Sequence, residues 1–102
     1  MLDCIFCKII NKELKADIIY EDQDFIVFKD IKPKAEIHFL IAPKKHIESL
    51  NQLEDIDLAG KLLLLAKKVI KDANYRIQIN TGKKAGQIID HLHLHLLSGI
   101  MF

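Results

Sequence analysis

Three histidines alternate with leucines in the segment His91–Leu97. A period of two is typical of a β-strand, so the imidazoles are predicted to project from one face and the leucines from the other, buried face. At a rise of roughly 3.3 Å per residue, successive histidines lie about 6.6 Å apart. Because three of the chain's five histidines fall within five positions, we interpret their face as a place of chemistry rather than a histidine-rich surface strand.

The loop before these histidines favours phosphate chemistry. Gly82 and Gly86 flank it, with Lys83 and Lys84 between them. Glycines let backbone N–H groups approach an anion closely, and lysines add positive charge. Neutral imidazole is a nucleophile towards phosphorus, and protonated imidazole stabilises charge on phosphoryl oxygens. The combination indicates a phosphate pocket, and a zinc centre held by three histidines is the competing interpretation.

Short apolar runs separated by turn residues predict the elements that position the histidines. A short N-terminal helix is expected over residues 6–13. Strands are expected over residues 18–21, 25–29, 37–42, 75–80 and 91–97, the third of them stopped by Pro43. Hairpin spacings make the sheet mostly antiparallel. The predicted fold class is therefore α+β, a five-stranded sheet with one long helix and a short N-terminal helix.

The long helix has an apolar face wider than one sheet needs. It is predicted to begin after a cap near Asp55 and to run to about Lys71. Two adjacent apolar stripes follow it, formed by Leu58, Leu62, Leu65 and Val69 and by Ala59, Leu63, Ala66 and Ile70. We interpret the excess as a subunit interface, so a homodimer is expected. A helix buried deeply within one domain is the alternative.

The composition of the chain limits the classes of function that it can have. The 102 residues are enough for a single domain, 1–102, and half of them are hydrophobic. Fifteen basic and fourteen acidic side chains give a net charge of +1, which argues against non-specific binding of nucleic acid or of a membrane. The longest apolar run, Leu62–Ala66, is far too short to span a bilayer, and the first residues do not form a signal-peptide pattern. A cytoplasmic location is expected.

At this point the sequence resembles a known family. The segment His91–Leu97 fits the histidine-triad (HIT) signature His-φ-His-φ-His-φ-φ, in which φ is apolar. Asn80, Gly86-Gln87 and the segments 3–10 and 37–46 are also typical of that family, so the resemblance covers nearly the whole chain. It is greatest to the small nucleotide-binding branch that acts as purine nucleoside phosphoramidases.

The resemblance implies an AMP-like purine nucleotide substrate and hydrolysis of a bond at its α-phosphate through a nucleotidyl-histidine, without a catalytic metal. In that scheme His93 would be the nucleophile, its other ring nitrogen held by a backbone carbonyl, and His95 would contact a phosphoryl oxygen or the leaving group. A nucleotide-binding or protein-interaction module with little physiological turnover is the alternative.

Substrate-binding roles also follow from the resemblance. Asp30 would bind the ribose hydroxyls, and His38, on the polar face of its strand, would support the triad. The phosphate pocket would be completed by Asn80, Gly86, Gln87 and the backbone N–H of Ile88. Ile88 stands where many members have serine, threonine or an acidic residue. The apolar clamp around the base would be formed by Phe6, Ile9, Phe28 and Ile31, which are equally compatible with ordinary core.

Cys4 and Cys7 have the spacing with which two thiolates bind one zinc ion. Bacterial members of the branch that carry this motif are similar to this chain, which implies that His46 and His91 complete a Cys2His2 site. Such a closed site would be structural rather than catalytic. A reduced pair packed as small apolar side chains is the alternative, and a thioredoxin-like redox pair is disfavoured because the surrounding strand–helix context is missing.

Overall fold

The computed structural model describes residues 3–102. Its two helices are α1 (Ile5–Ile10) and α2 (Ile56–Val69). Its strands are β1 (Ile18–Glu21), β2 (Phe25–Lys29), β3 (Ala35–Pro43), β4 (Arg76–Gln78) and β5 (Leu94–Met101). The strands form one antiparallel sheet in the order β1-β2-β3-β5-β4. The predicted α+β class, with a five-stranded sheet and two helices, is confirmed.

The helix α2 covers one face of the sheet. Its Leu62 and Leu65 pack in one buried cluster with Ile41 of β3 and with Leu94 and Leu96 of β5. Asp55 caps the helix, since its carboxylate accepts a hydrogen bond from the backbone N–H of Leu58 at 3.1 Å. The cap was predicted correctly, although the helix ends at Val69 rather than near Lys71.

The short helix α1 covers the opposite face. Phe6 and Ile9 pack there with Phe28 of β2 and Leu40 of β3. Because side chains alternate along a strand, His38 shares the face of Leu40, and His95 lies opposite the face of its leucine neighbours. The helix α1 therefore covers the face of the sheet from which these histidines project.

The histidine segment differs from the predicted strand. β5 begins at Leu94, three residues later than expected, and continues to Met101. The N–H of Leu92 donates to the carbonyl of Ile47 at 2.6 Å, so the chain before β5 is bonded to the segment after β3 instead of to a neighbouring strand. The alternation nevertheless holds for the leucines, which are all buried. His91 and His93 are buried as well.

Three other elements have bounds that differ from the sequence predictions. β3, predicted over residues 37–42, covers Ala35–Pro43 and so includes the proline that was expected to stop it. α1 ends at Ile10 instead of residue 13, because Asn11 caps it and Lys12 adopts a left-handed backbone with φ of 65°. β4 covers three residues, Arg76–Gln78, rather than 75–80. Among residues 3–102, no helix has both the length and the apolar character needed to cross a membrane.

Candidate active site and metal site

His93 is held in one tautomer by the backbone. Its Nδ1 lies 2.7 Å from the carbonyl oxygen of His91. A carbonyl only accepts hydrogen bonds, so Nδ1 carries the ring proton and Nε2 keeps its lone pair. Burial lowers the pKa of His93, which favours the neutral ring at neutral pH. The result is a neutral imidazole whose free nitrogen is nucleophilic.

His95 stands beside this ring. The centroids of His93 and His95 are 5.1 Å apart, with the planes at 65°. Burial, reinforced by the neighbouring His93 and His38, lowers the pKa of His95 to about 4. His95 is therefore also neutral at neutral pH and interacts through hydrogen bonds rather than as a cation.

His38 and Asp30 extend the histidine cluster. The Nε2 of His38 lies 2.9 Å from Nδ1 of His95 and 3.4 Å from a carboxylate oxygen of Asp30. The other ring nitrogen of His38 accepts the backbone N–H of Lys34 at 3.0 Å. Asp30 also accepts the backbone N–H of Lys32 at 2.8 Å, so its carboxylate is held while remaining partly exposed.

Gln87 shapes the loop that precedes the histidines. Its side-chain oxygen accepts the N–H of Gly82 at 2.9 Å, and its amide nitrogen donates to the carbonyls of Glu48 and Ile89 at 2.7 and 3.0 Å. Gln87 is buried, and these bonds occupy its amide. Its side chain can therefore position the loop, whereas direct contact with a phosphate would require breaking these bonds.

Asn80 and Gly86 meet within the same loop. The amide nitrogen of Asn80 donates to the carbonyl of Ala85 at 2.8 Å. Gly86 has φ of +90°, and a Cβ built there would lie 3.3 Å from that amide nitrogen. Any side chain at Gly86 would therefore be strained and crowded. Ile88, two residues after Gly86, is 88% exposed, so its side chain makes little contact with the domain.

The residues of the expected base clamp fall into two groups. Phe6 packs edge-on against His93, with centroids 4.9 Å apart, and against Phe28 at 5.3 Å. Ile9 is buried in the same cluster. Ile31, in contrast, is 90% exposed. The structure therefore places Phe6 directly beside the triad but does not bring Ile31 into the apolar cluster.

Cys4, Cys7, His46 and His91 form a second group. One ligand atom from each lies within 4.8 Å of the others. The Sγ of Cys7 is 3.2 Å from Nδ1 of His46, and the Sγ of Cys4 is 3.4 Å from Nδ1 of His91. For tetrahedral zinc with ordinary bond lengths, a sulfur–nitrogen edge measures about 3.5 Å. The four side chains can therefore hold a metal ion of this geometry.

The surroundings of this group also suit a metal. Nε2 of His91 lies 2.8 Å from the carbonyl oxygen of Pro43, which places the ring proton on Nε2 and turns the Nδ1 lone pair towards the cysteines. The N–H of Cys7 donates to the sulfur of Cys4 at 3.3 Å. Burial and the Cys4 thiol raise the pKa of Cys7 to about 11, and a bound cation would reverse this effect by favouring the thiolate.

Sequence reasoning expected a backbone carbonyl at His93 but missed the backbone groups that orient the rings of His91 and His38. The carbonyl of Pro43 orients His91, and the N–H of Lys34 orients His38. Neither contribution depends on a side chain, so no residue type signals it. The sequence predicts Pro43 only as the end of a strand, which does not signal this contact.

Comparison with known proteins agrees with the family resemblance of the histidine segment. A model of the family described as "Scavenger mRNA decapping enzyme C-term binding" matches residues 3–101. An uncharacterized HIT-like protein of Synechocystis is 45% identical over 106 residues, covering 98% of this chain and 93% of the relative. The chain belongs to the HIT family.

Solved structures of HIT proteins share its fold. A HIT family hydrolase from Legionella pneumophila superposes with a TM-score of 0.90 at 39% identity, covering 95% of this chain and 93% of that one. A histidine triad protein from Clostridium difficile gives a TM-score of 0.92 at 35% identity, with 100% and 95% covered. The family and fold expected from the histidine signature are confirmed.

The neutral state of His95 gives a direct prediction for its titration. Because its pKa is lowered to about 4, we expect the ring to stay neutral between pH 8 and pH 5, where an ordinary histidine with a pKa of about 6.5 would titrate. The measurement is the ring-proton chemical shift of His95 followed by NMR across this range. A midpoint near pH 6.5 would show that the ring is solvated as a free side chain.

Proposed function

We propose that this HIT protein hydrolyses purine nucleoside phosphoramidates or related nucleotide conjugates at the α-phosphate. The observation that carries the proposal is the 2.7 Å bond from Nδ1 of His93 to the carbonyl of His91. It leaves Nε2 of a neutral, buried imidazole as a nucleophile, and His95 lies beside it to contact the phosphoryl group. The hydrolase name of the Legionella relative supports the reaction class.

The proposed reaction has two displacements. Nε2 of His93 attacks the α-phosphorus, and a bond forms between nitrogen and phosphorus while the bond from phosphorus to the leaving amine breaks. The electron pair of that bond stays on the amine nitrogen, which takes up a proton and departs. Water then attacks the nucleotidyl-histidine, loses a proton, and releases the mononucleotide together with the original imidazole.

The expected substrate contacts surround this pair of rings. In this proposal the carboxylate of Asp30 binds the ribose hydroxyls, and the base packs beside Phe6, whose ring lies against His93. The proposed donor to the phosphate is the backbone N–H of Ile88, because the N–H groups of Gly82, Ala85, Gly86 and Gln87 are bonded within the loop. Gln87 and Asn80 hold that loop in shape. Anion binding then depends on the backbone rather than on the side chain of Ile88.

We propose that Cys4, Cys7, His46 and His91 bind one zinc ion with a structural role. Four protein ligands leave no open coordination position for water or substrate. The site joins α1 to the segment after β3 and to the histidine segment, which are distant in sequence. Bound zinc would stabilise this arrangement, and the hydrolysis proposed for His93 uses no step at the metal.

We also propose a homodimer formed through α2 and β4. Leu63 and Leu64 of α2 are exposed, as is Ile77 of β4, and among residues 3–102 β4 is an edge strand that pairs with β5 alone. We expect the change Leu63→Lys to convert a dimer into a monomer by placing a charge in the interface. Analytical ultracentrifugation measures this, with the exposed Lys84→Ala as the control. A wild-type monomer at micromolar concentration would contradict the proposal.

The function is tested by incubating purified protein with adenosine 5′-phosphoramidate and following release of AMP. We expect multiple turnovers that continue after mild treatment with a chelator, for as long as the fold persists. Tight binding of AMP without turnover would support the alternative of a nucleotide-binding module. Immediate loss of turnover on chelation, with the fold intact, would instead support a catalytic metal.

A further inference from the structure

The cluster of Asp30, His38 and His95 contains an interaction that the proposed reaction does not explain. His38 is almost fully buried, and the hydrogen bonds of its ring go to neither His93 nor the proposed metal ligands. Both of its ring nitrogens are nevertheless engaged, one with the backbone of Lys34 and the other with His95. A buried histidine held at both nitrogens has one permitted tautomer, and this tautomer constrains its neighbour.

The chain of hydrogen bonds begins at the backbone. The N–H of Lys34 can only donate, so Nδ1 of His38 must accept at 3.0 Å. A neutral His38 therefore carries its single proton on Nε2. Burial lowers the pKa of His38, which is consistent with the neutral ring.

The same logic fixes His95. Nε2 of His38 lies 2.9 Å from Nδ1 of His95, and its proton makes it the donor in this contact. Nδ1 of His95 must then accept, so the proton of a neutral His95 is on Nε2. We propose that His38 is a positioning residue that sets the tautomer of His95, so that His95 presents Nε2–H to the phosphoryl group as a neutral hydrogen-bond donor.

This assignment selects one of the two roles open to His95. A neutral ring that gave up its Nε2 proton would become an imidazolate. Transfer of the Nε2 proton of His38 to Nδ1 of His95 would only move that negative charge to His38, because His38 carries a single proton. His95 therefore stabilises a non-bridging phosphoryl oxygen by donating a hydrogen bond, and it keeps its proton throughout. The leaving amine takes its proton from water.

Asp30, His38 and His95 place ligand atoms close enough together for a metal ion. The tautomer of His38 argues against that use. A metal on Nε2 of His38 would move the ring proton to Nδ1. That proton would point at the N–H of Lys34, so that two donors would face each other across 3.0 Å. Without a metal, both ring nitrogens of His38 have a hydrogen-bond partner of the right kind. With a metal on Nε2, the Nδ1–H of His38 and the N–H of Lys34 would both be donors without an acceptor.

The test is the tautomer of His95, read from the nitrogen chemical shifts of its ring in long-range ¹H–¹⁵N NMR spectra of the intact protein at pH 7. We expect Nε2 to be protonated in the wild type. In His38→Leu, which removes the donor, we expect a mixture of tautomers. In His38→Gln, whose amide can donate to Nδ1 of His95, we expect Nε2–H to be retained.

The wild-type spectrum is decisive even where a variant fails to fold. A wild-type His95 protonated on Nδ1 would overturn the proposal, as would a folded His38→Leu variant in which Nε2–H stays fully populated. The kinetic consequence rests on the proposed hydrolysis: kcat should fall on the order of tenfold in His38→Leu and recover in His38→Gln, with KM changing less. Because the NMR result needs no substrate, failure of the tautomer assignment and failure of the hydrolase proposal are separable.

Discussion

The change His93→Ala is expected to reduce kcat/KM for adenosine 5′-phosphoramidate by on the order of 10⁴-fold or more, the range seen when a nucleophile or its partner is removed. The variant lacks the nitrogen that attacks phosphorus. His95 cannot take its place, because Nδ1 of His95 faces His38 at 2.9 Å and its remaining nitrogen carries a proton in the proposed chain. Steady-state release of AMP measures the effect.

Loss of activity must be separated from loss of structure. The ring of His93 packs against Phe6, so truncation leaves a gap beneath α1 and is expected to lower the melting temperature modestly. A second variant, His93→Gln, fills more of this gap and should be equally inactive. Both should still bind AMP with a Kd close to that of the wild type. Turnover by folded His93→Ala within tenfold of the wild type would show that His93 is not the nucleophile.

Removal of the proposed zinc ion is expected to have the largest effect on stability. A ligand that binds the folded chain at a thousandfold excess over its Kd stabilises it by about 4 kcal/mol. For a chain of this length, a loss of that size corresponds to a drop in melting temperature of more than about 10 °C. We therefore expect Cys4→Ser and Cys7→Ser to melt well below the wild type, because each leaves three ligands where four are needed.

The matched comparison is the wild type after extraction with a chelator. If the serine variants act through the metal, the chelated wild type should melt at nearly the same temperature as they do, and adding zinc should restore the wild type alone. Elemental analysis of the purified protein should give one zinc per chain. A wild type that contains no metal and melts at the same temperature with and without added zinc would contradict a structural zinc site.

Local sequence signals predicted the framework of the fold. Asp55 caps α2 as expected, and the alternation of Leu92, Leu94 and Leu96 identified a buried face. These features depend on side chains within a few residues of one another, which a sequence shows directly. The first and last residues of β1 and β2 were also predicted, from adjacent apolar and turn residues.

Long-range backbone contacts could not be read in the same way. The late start of β5 depends on a hydrogen bond from Leu92 to Ile47, 45 positions earlier, and the orientation of His38 depends on the N–H of Lys34. Similarly, the family resemblance implied a place for Gln87 in the phosphate pocket, whereas its amide bonds to Gly82 and Glu48. A polar side chain can serve the loop or the substrate, and its type does not distinguish these uses.

His93 is proposed to carry the nucleotide during the reaction, and the stereochemistry at phosphorus tests this role most directly. A nucleotide conjugate made chiral at the α-phosphorus by isotopic or sulfur substitution would be hydrolysed in ¹⁸O-labelled water, and the configuration of the product determined. Two in-line displacements, first by His93 and then by water, predict net retention. Net inversion would show a single attack by water and would contradict the nucleotidyl-histidine.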